Sequence, residues 1–326
     1  MRKKALVVGI NDYPSSPLTA CVRDATSFRN VLKAHGTAHR DLKGPPNFDV
    51  KLVTSPPETI NKSNLKGAIE TLFSGSPDIA LFYFSGHGVI TSTGGYIVTP
   101  DFKRYDEGVS MDEILDLANQ STAKEKVIIL DCCHSGAIGA PPNVRGRVAP
   151  LSEGLTILTA SQGLESAMEI NGRSVFTALV VDALQGGAAD LRGYITLGSI
   201  YAYVDQALGP HEQRPIFKTN ITGFTSIRNV PPLLPYGTLQ KICDYFESPQ
   251  HEHALDPSYE FTDPRANPEK VDIFKDLQKF TSSGLVVPVG EDHMYFAAMN
   301  SKSCRLTALG HQYWRLVKEE KMFDFI

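Results

Sequence analysis

The chain has 326 residues, of which 42% are apolar and 21% charged, and a net charge of −4. That length exceeds the ~100–200 residues of one ordinary domain, so a large globular domain plus a smaller one is expected. The negative balance offers no field to hold nucleic acid or an acidic membrane surface, and five scattered cysteines suggest a reducing cytosol rather than a disulfide framework.

The opening, MRKKALVVGINDY, is basic, but its apolar run stops at Asn11 and Asp12. That is too short for a signal-peptide core, and no later stretch approaches the ~18 apolar residues of a membrane span, so a soluble cytoplasmic protein is expected. Short runs rich in Val, Ile and Leu occur at 4–10 (KALVVGI), 48–55 (FDVKLVTS), 78–86 (DIALFYFSG), 126–132 (KVIILDC) and 155–161 (LTILTAS). Continuous apolar runs of this length belong to strands buried on both faces, as in a mostly parallel sheet. Amphipathic helix patterns alternate with them: ACVRDATSFRNVLKAHG, NKSNLKGAIETLFSG, which opens on a polar cluster and closes at Gly75, and SMDEILDLANQ. SVFTALVVDALQG and TLGSIYAYVDQAL follow the fifth strand, and PIFKTNIT (215–222) supplies a last edge strand. The expected fold is α/β, a six-stranded sheet with helices on both faces.

The proline-rich NVPPLLPYG (229–237) marks a boundary, giving domains 1–228 and 229–326. In the second, TLQKICDYFES and EKVDIFKDLQKFTSSG predict helices, LVVPV and HMYFAAM a strand pair, and RLTALGHQYWRLVKEE a capped helix. Two helices, a two-stranded ribbon and a final helix resemble a small α+β winged helix. Residues 230–326 carry more Asp and Glu than Lys and Arg, and Lys275 and Lys279 of the would-be recognition helix are offset by Asp272 and Asp276. The phosphate neutralisation that DNA binding needs is missing, so a protein-contact or regulatory module is expected.

Chemistry in an open α/β sheet lies beyond the carboxyl ends of the strands. Two strands end here in reactive groups: DIALFYFSGHG in Ser85, His87 and Gly88, and KVIILDCCHSG in Asp131, Cys132, Cys133 and His134. Successive side chains of an extended segment face opposite ways, so Cys132, Cys133 and His134 do not converge on one metal ion, and no second Cys/His pair stands at zinc-ligand spacing. A thiol nucleophile with a histidine base is the better fit. Glycines in SGHG and HSG would bring the backbone close to a ligand and expose amides to an oxyanion.

YFSGHG followed 46 residues later (87 to 133) by DCCHSG resembles the caspase-like cysteine peptidases, and within them the metacaspase and bacterial caspase-homologue branch. VVGINDY, LTACVRDA, TASQ and FTALVVDAL extend the resemblance over about residues 4–225. It implies a caspase-like fold and an endopeptidase in which His87 is the base, Cys133 the nucleophile, and the amides of Gly88 and Cys133 the oxyanion hole. Cys132 stands where the family often has Ser, and is expected to face the core. The resemblance also implies a substrate pocket (S1) made by Asp24, Ser85 and Asp131, two carboxylates suited to an Arg or Lys side chain. Arg23 stands where Asn is usual, which leaves acidic specificity as a lesser alternative. Asp101 and Asp112 match two calcium-binding positions of many metacaspases, but Met111 and GAIGAPPN supply no further carboxylate, so no metal and no cofactor is expected.

The partners expected are protein substrates and a protein or small-molecule activator acting through the C-terminal domain, with no nucleic acid and no membrane. Bacterial relatives with extra modules resemble effectors of defence or cell-death systems. Arg145 and Arg147, in a loop after Cys133, are candidate autocleavage sites. The alternative is a caspase-fold scaffold of weak catalysis, or a winged-helix regulator.

Overall fold

A computed structural model describes residues 1–34, 46–103, 105–132, 150–160, 169–170, 172–208 and 214–320. The chain forms two compact units, Met1–Pro231 and Pro232–Ile326.

The first unit is built on a six-stranded sheet. In chain order its strands are β1 (Lys3–Ile10), β2 (Asp49–Ser55), β3 (Ile79–Ser85), β7 (Glu125–Asp131), β8 (Leu155–Thr159) and β12 (Ile216–Asn220), arranged β12-β8-β7-β3-β1-β2. Five run parallel, and β12 closes the edge antiparallel to β8. Every residue of β3, β7 and β8 is buried, as their unbroken apolar runs require. An antiparallel meander of β4 (Gly88–Thr91), β5 (Gly94–Lys103) and β6 (Asp106–Ser110) leaves the end of β3. Two short antiparallel ribbons complete the strands: β9 (Glu169–Ile170) with β10 (Arg173–Ser174), and β11 (Tyr194–Ile195) with β13 (Arg228–Asn229).

Side chains alternate across each strand and so divide the core into two layers. Leu6, Val8, Phe82, Phe84, Ile128 and Leu130 pack with Leu65 and Ile69 of α2 (Lys62–Phe73) and Ile114 and Leu115 of α3 (Met111–Gln120). Ala5, Val7, Leu81, Tyr83, Val127 and Ile129 pack with Phe28 and Leu32 of α1 (Cys21–Lys33), Phe176 and Val180 of α4 (Val175–Asp182) and Ile200 and Val204 of α5 (Leu197–Ala207). Helix α2 starts where Asn61 Oδ1 accepts from Asn64 N (2.8 Å) and is followed by Gly75 at φ +73°. Glycine reaches that left-handed backbone without a Cβ penalty.

The second unit contains α6 (Tyr236–Gln240), α7 (Ile242–Tyr245), β14 (Glu252–Ala254), α8 (Pro268–Ser282), β15 (Val286–Val289), α9 (Met294–Met299), β16 (Ser303–Leu306) and α10 (Ala308–Lys318). Its sheet is antiparallel with order β14-β16-β15. The segment HMYFAAM is therefore not a strand. Met294, Ala297 and Ala298 are buried at helical spacing, and the partner of β15 is the less apolar SCRL that follows. The expected ribbon becomes strand, helix, strand. Two of the three lysines of α8 are tied to its own acids, Lys275 to Asp272 (2.8 Å) and Lys279 to Asp276 (2.9 Å), and the third, Lys270, to Asp256 (2.7 Å).

Asp276 joins α8 to the preceding helices, accepting from Lys241 Nζ (2.8 Å), Lys279 Nζ (2.9 Å) and Tyr245 Oη (3.1 Å). Burial pulls its carboxyl upward, but these three donors outweigh burial and hold it below the usual carboxylate range. A group whose folded value is lowered stabilises fully above its unfolded value and loses that contribution as pH falls through the folded one. Asp276→Asn should cost about 1–3 kcal/mol near neutral pH. Thermal unfolding followed from pH 7 down should show the gap between variant and wild type closing below about pH 4.

Candidate active site

Strands β3 and β7 are paired in register, Ser85 opposite Asp131. His87 lies two residues beyond Ser85, and Cys133 two residues beyond Asp131. Cys133, Arg145 and Arg147 fall outside the described residues. Cys132 is 1% exposed and belongs to the layer of Phe84 and Leu130, with its side chain in the core as expected.

Two segments, the turn after β1 and strand β5, hold His87. Its backbone N–H donates to Tyr13 Oη (3.0 Å), its carbonyl accepts from Val98 N (2.9 Å) in β5, and its Nε2 meets the carbonyl of Ser16 (2.7 Å). A carbonyl oxygen only accepts, so Nε2 carries the ring proton in this hydrogen bond and Nδ1 presents its lone pair. The imidazole leans on the Tyr13 ring, with centroids 4.5 Å apart and planes at 58°. Gly86 has a local reason to be glycine, because a Cβ there would stand 2.5 Å from Tyr13 Oη and 2.7 Å from the Phe84 ring. Gly88 begins β4 opposite Ile97.

The three expected pocket residues are all buried: Asp24 at 2%, Ser85 at 2% and Asp131 at 3% exposure. Asp24, on the first turn of α1, accepts from Ser174 N at Oδ2 (3.1 Å). Asp131 accepts from Thr177 Oγ1 at Oδ2 (2.5 Å). Having given its proton to Asp131, Thr177 accepts from Tyr83 Oη (2.6 Å). Ser174 caps α4 by accepting from Thr177 N (3.4 Å), so both acids meet the first turn of one helix. Burial, then the charges of Asp131 and Asp24, push the Tyr83 phenol far above its ordinary range. Tyr83 thus senses both carboxylates. A cavity of about 470 Å³ opens between α1 and α4, lined by Asp24, Thr177, Arg173 and Arg228; His87 is not part of its wall.

Tyr13, Ser16, Ser174 and Thr177 were not singled out from the sequence. Tyr13 and Thr177 did lie inside stretches, VVGINDY and FTALVVDAL, that carried the resemblance. What was missing was any sign of contacts 74 and 46 residues away.

Asp101 and Asp112 have structural surroundings. Asp101 accepts from Lys62 N (3.1 Å) at the start of α2, and the Asp112 carboxyl, in the first turn of α3, is raised by burial and then by Asp116. Among the described residues no group of three or more His, Cys, Asp or Glu stands together. Among the described residues Cys243 and Cys304 are free thiols, and no helix is long and apolar enough to cross a membrane.

A family model of the caspase domain, peptidase C14, matches residues 2–225. The chain belongs to the caspase-domain family. Metacaspase-9 of Arabidopsis thaliana is 24% identical over 216 residues, which cover 59% of this chain and 63% of that relative's length. Among solved structures, a Geobacter sulfurreducens protein aligns at TM-score 0.51 and 17% identity over 71% of this chain and 98% of its own. Caspase-1 from Spodoptera frugiperda aligns at TM-score 0.50 and 13% identity, covering 70% and 90% respectively. The likeness to the two structures is one of fold. The family is one of cysteine peptidases, and its domain accounts for the first unit of the chain.

Proposed function

We propose that the protein is a cysteine endopeptidase that cleaves after Arg or Lys, with His87 as base and Cys133 as nucleophile. The observation that carries this is the pairing of Ser85 with Asp131, which ends β3 and β7 at one level just before both residues, beside two buried carboxylates. Cys132 is committed to the core, which leaves its neighbour as the candidate thiol.

His87 Nδ1 takes the proton of the Cys133 thiol, and the thiolate attacks the scissile carbonyl carbon. The carbonyl π electrons move to oxygen, and the amides of Gly88 and Cys133 stabilise the resulting oxyanion. As the tetrahedral intermediate collapses, the C–N bond breaks and the imidazolium gives its proton to the leaving amine. A water molecule, deprotonated by the same imidazole, then attacks the thioester; the second collapse releases the carboxylate product and regenerates the dyad. The Nε2–H bond to Ser16 keeps Nδ1 the reactive nitrogen, and this carbonyl also stabilises the imidazolium. Asp24 and Asp131 would give a cationic side chain two negative partners, and Ser85, at the end of β3 between β1 and β7, would add a hydroxyl to the same pocket.

The C-terminal unit is the proposed point of control, where a protein or small-molecule activator would act, in a bacterial defence or cell-death system. Support comes from its surface, since all three α8 lysines are paired with carboxylates and leave little positive potential for a nucleic acid.

Cys133→Ala should abolish peptidase activity and labelling by a cysteine alkylator, whereas Cys132→Ala should keep most of both at some cost in stability. An inactive Cys132→Ala with an active Cys133→Ala would reverse the assignment.

In a fluorogenic peptide panel, turnover should require Arg or Lys at the cleaved position. Asp24→Ala or Asp131→Ala should lower kcat/KM by at least ~100-fold, the loss expected when one partner of a buried charged pair is removed. Cleavage after Asp instead would end the basic-specificity reading.

A basic specificity also makes Arg145 and Arg147 substrates within the chain itself. Mass spectrometry should find cleavage after one of them in wild type and none in Cys133→Ala. An intact wild-type chain under conditions where it turns over peptide would remove maturation from the scheme.

A further inference from the structure

We propose that Tyr13 is a positioning residue for the catalytic base, fixing the backbone and ring of His87 through its phenol; this rests on the reading of His87 as the proton acceptor. The residue lies in the turn after β1, three residues beyond Ile10, and is 5% exposed. Its hydroxyl uses both of its capacities at once, accepting from His87 N (3.0 Å) and donating to Val98 O (3.2 Å). Val98 N in turn donates to the His87 carbonyl (2.9 Å). Tyr13, His87 and Val98 therefore close a ring of three hydrogen bonds, and one side chain ties the end of β3 to the first turn of the meander. The same aromatic ring packs against the imidazole, and the backbone three residues further on supplies Ser16 O to Nε2.

The surroundings favour a protonated phenol. Burial raises its pKa above the ordinary range, and the amide of His87 reduces that rise without cancelling it. The hydroxyl therefore keeps its donor role throughout the working range of a thiol–imidazole pair. The neighbouring Gly86 fits the same purpose, since any side chain there would displace the phenol. His87 has left the sheet by this point and has no strand partner for its amide, so a loop residue must supply one.

Tyr13→Phe keeps the ring and its packing and removes only the hydroxyl. In the full-length protein we expect kcat to fall ~10-fold or more with KM within ~2-fold, because small displacements of a catalytic group cost turnover rather than binding. The His87 amide should exchange with solvent faster, and its proton resonance should move upfield as the bond is lost. Ile10→Val, in the same buried layer, controls for stability: it should lower the unfolding temperature without changing kcat. If Tyr13→Phe matches wild type in kcat while His87→Ala is inactive, the base stands and the positioning role falls. A kcat loss in Tyr13→Phe that merely follows the folded fraction also overturns it. If His87→Ala turns over like wild type, the assignment of the base is wrong and the role of Tyr13 falls with it.

Discussion

The register between β3 and β7 governs the first unit. Both strands are buried along their whole length, so slipping one past the other by a single residue would exchange every inward-facing group between two different helical layers. Phe82, Phe84, Ile128 and Leu130 fit the α2–α3 layer, while Leu81, Tyr83, Val127 and Ile129 fit the layer of α1, α4 and α5. The same alternation sends the Asp131 side chain toward α4 and that of Cys132 toward the opposite core. An acid and a thiol adjacent in sequence thus acquire unrelated environments. The strand direction alone separates them.

Beyond the paired strand ends, the sheet no longer specifies geometry, and local bonds take over. His87 is held by groups from the turn after β1 and from β5, elements that the sheet brings to one place but does not itself align. The acids are handled differently. Asp24 rides on α1 and Asp131 on β7, yet both reach the first turn of α4, where Ser174 and Thr177 donate to them. The proposed base and the proposed pocket acids therefore have separate supports, so substitutions in one should leave the geometry of the other intact.

The parallel sheet was readable in the sequence because burial on two faces demands long runs of Val, Ile and Leu, and KALVVGI, DIALFYFSG and KVIILDC have no other comfortable home. His87 and Asp131 are readable because they follow such runs with groups a core would reject, whereas Asp24 is readable only through the family resemblance of LTACVRDA. HMYFAAM reads as a strand for a related reason, although it forms a helix. Seven residues of mostly apolar character fit a strand or a buried helix equally, and only the burial of Met294, Ala297 and Ala298 together decides for the helix. Its true counterpart in the sheet, SCRL, alternates buried and exposed positions but is too short and too polar to announce itself. Tyr13 and Thr177 were invisible as functional groups. Tyrosine near a turn and threonine near a helix start are common on any chain, and their meaning here lies in which backbone or carboxylate comes within 3.0 and 2.5 Å of them in space.

The placement of the two acids bears on how the proposed peptidase would choose its substrate. A carboxylate taken out of water costs several kcal/mol unless donors replace the lost hydration, and two of them on one side of a sheet also repel each other. The Ser174 amide, the Thr177 hydroxyl and the positive end of α4 offset part of this cost. Burial first, and then the charges of Asp131 and Asp24, raise the Tyr83 phenol, so both carboxylates are felt at that residue. A third carboxylate, from an Asp side chain of a substrate, would add to the repulsion between Asp24 and Asp131, against which, among the described residues, only Arg173 and Arg228 of the cavity wall would act. A guanidinium or ammonium would relieve it and would recover the energy that the fold spends in keeping the acids together. Discrimination by sign would then precede discrimination by shape. The first turn of α4, which sets the distance of both acids from an incoming cation, would tune how strongly the pocket prefers one basic side chain to another.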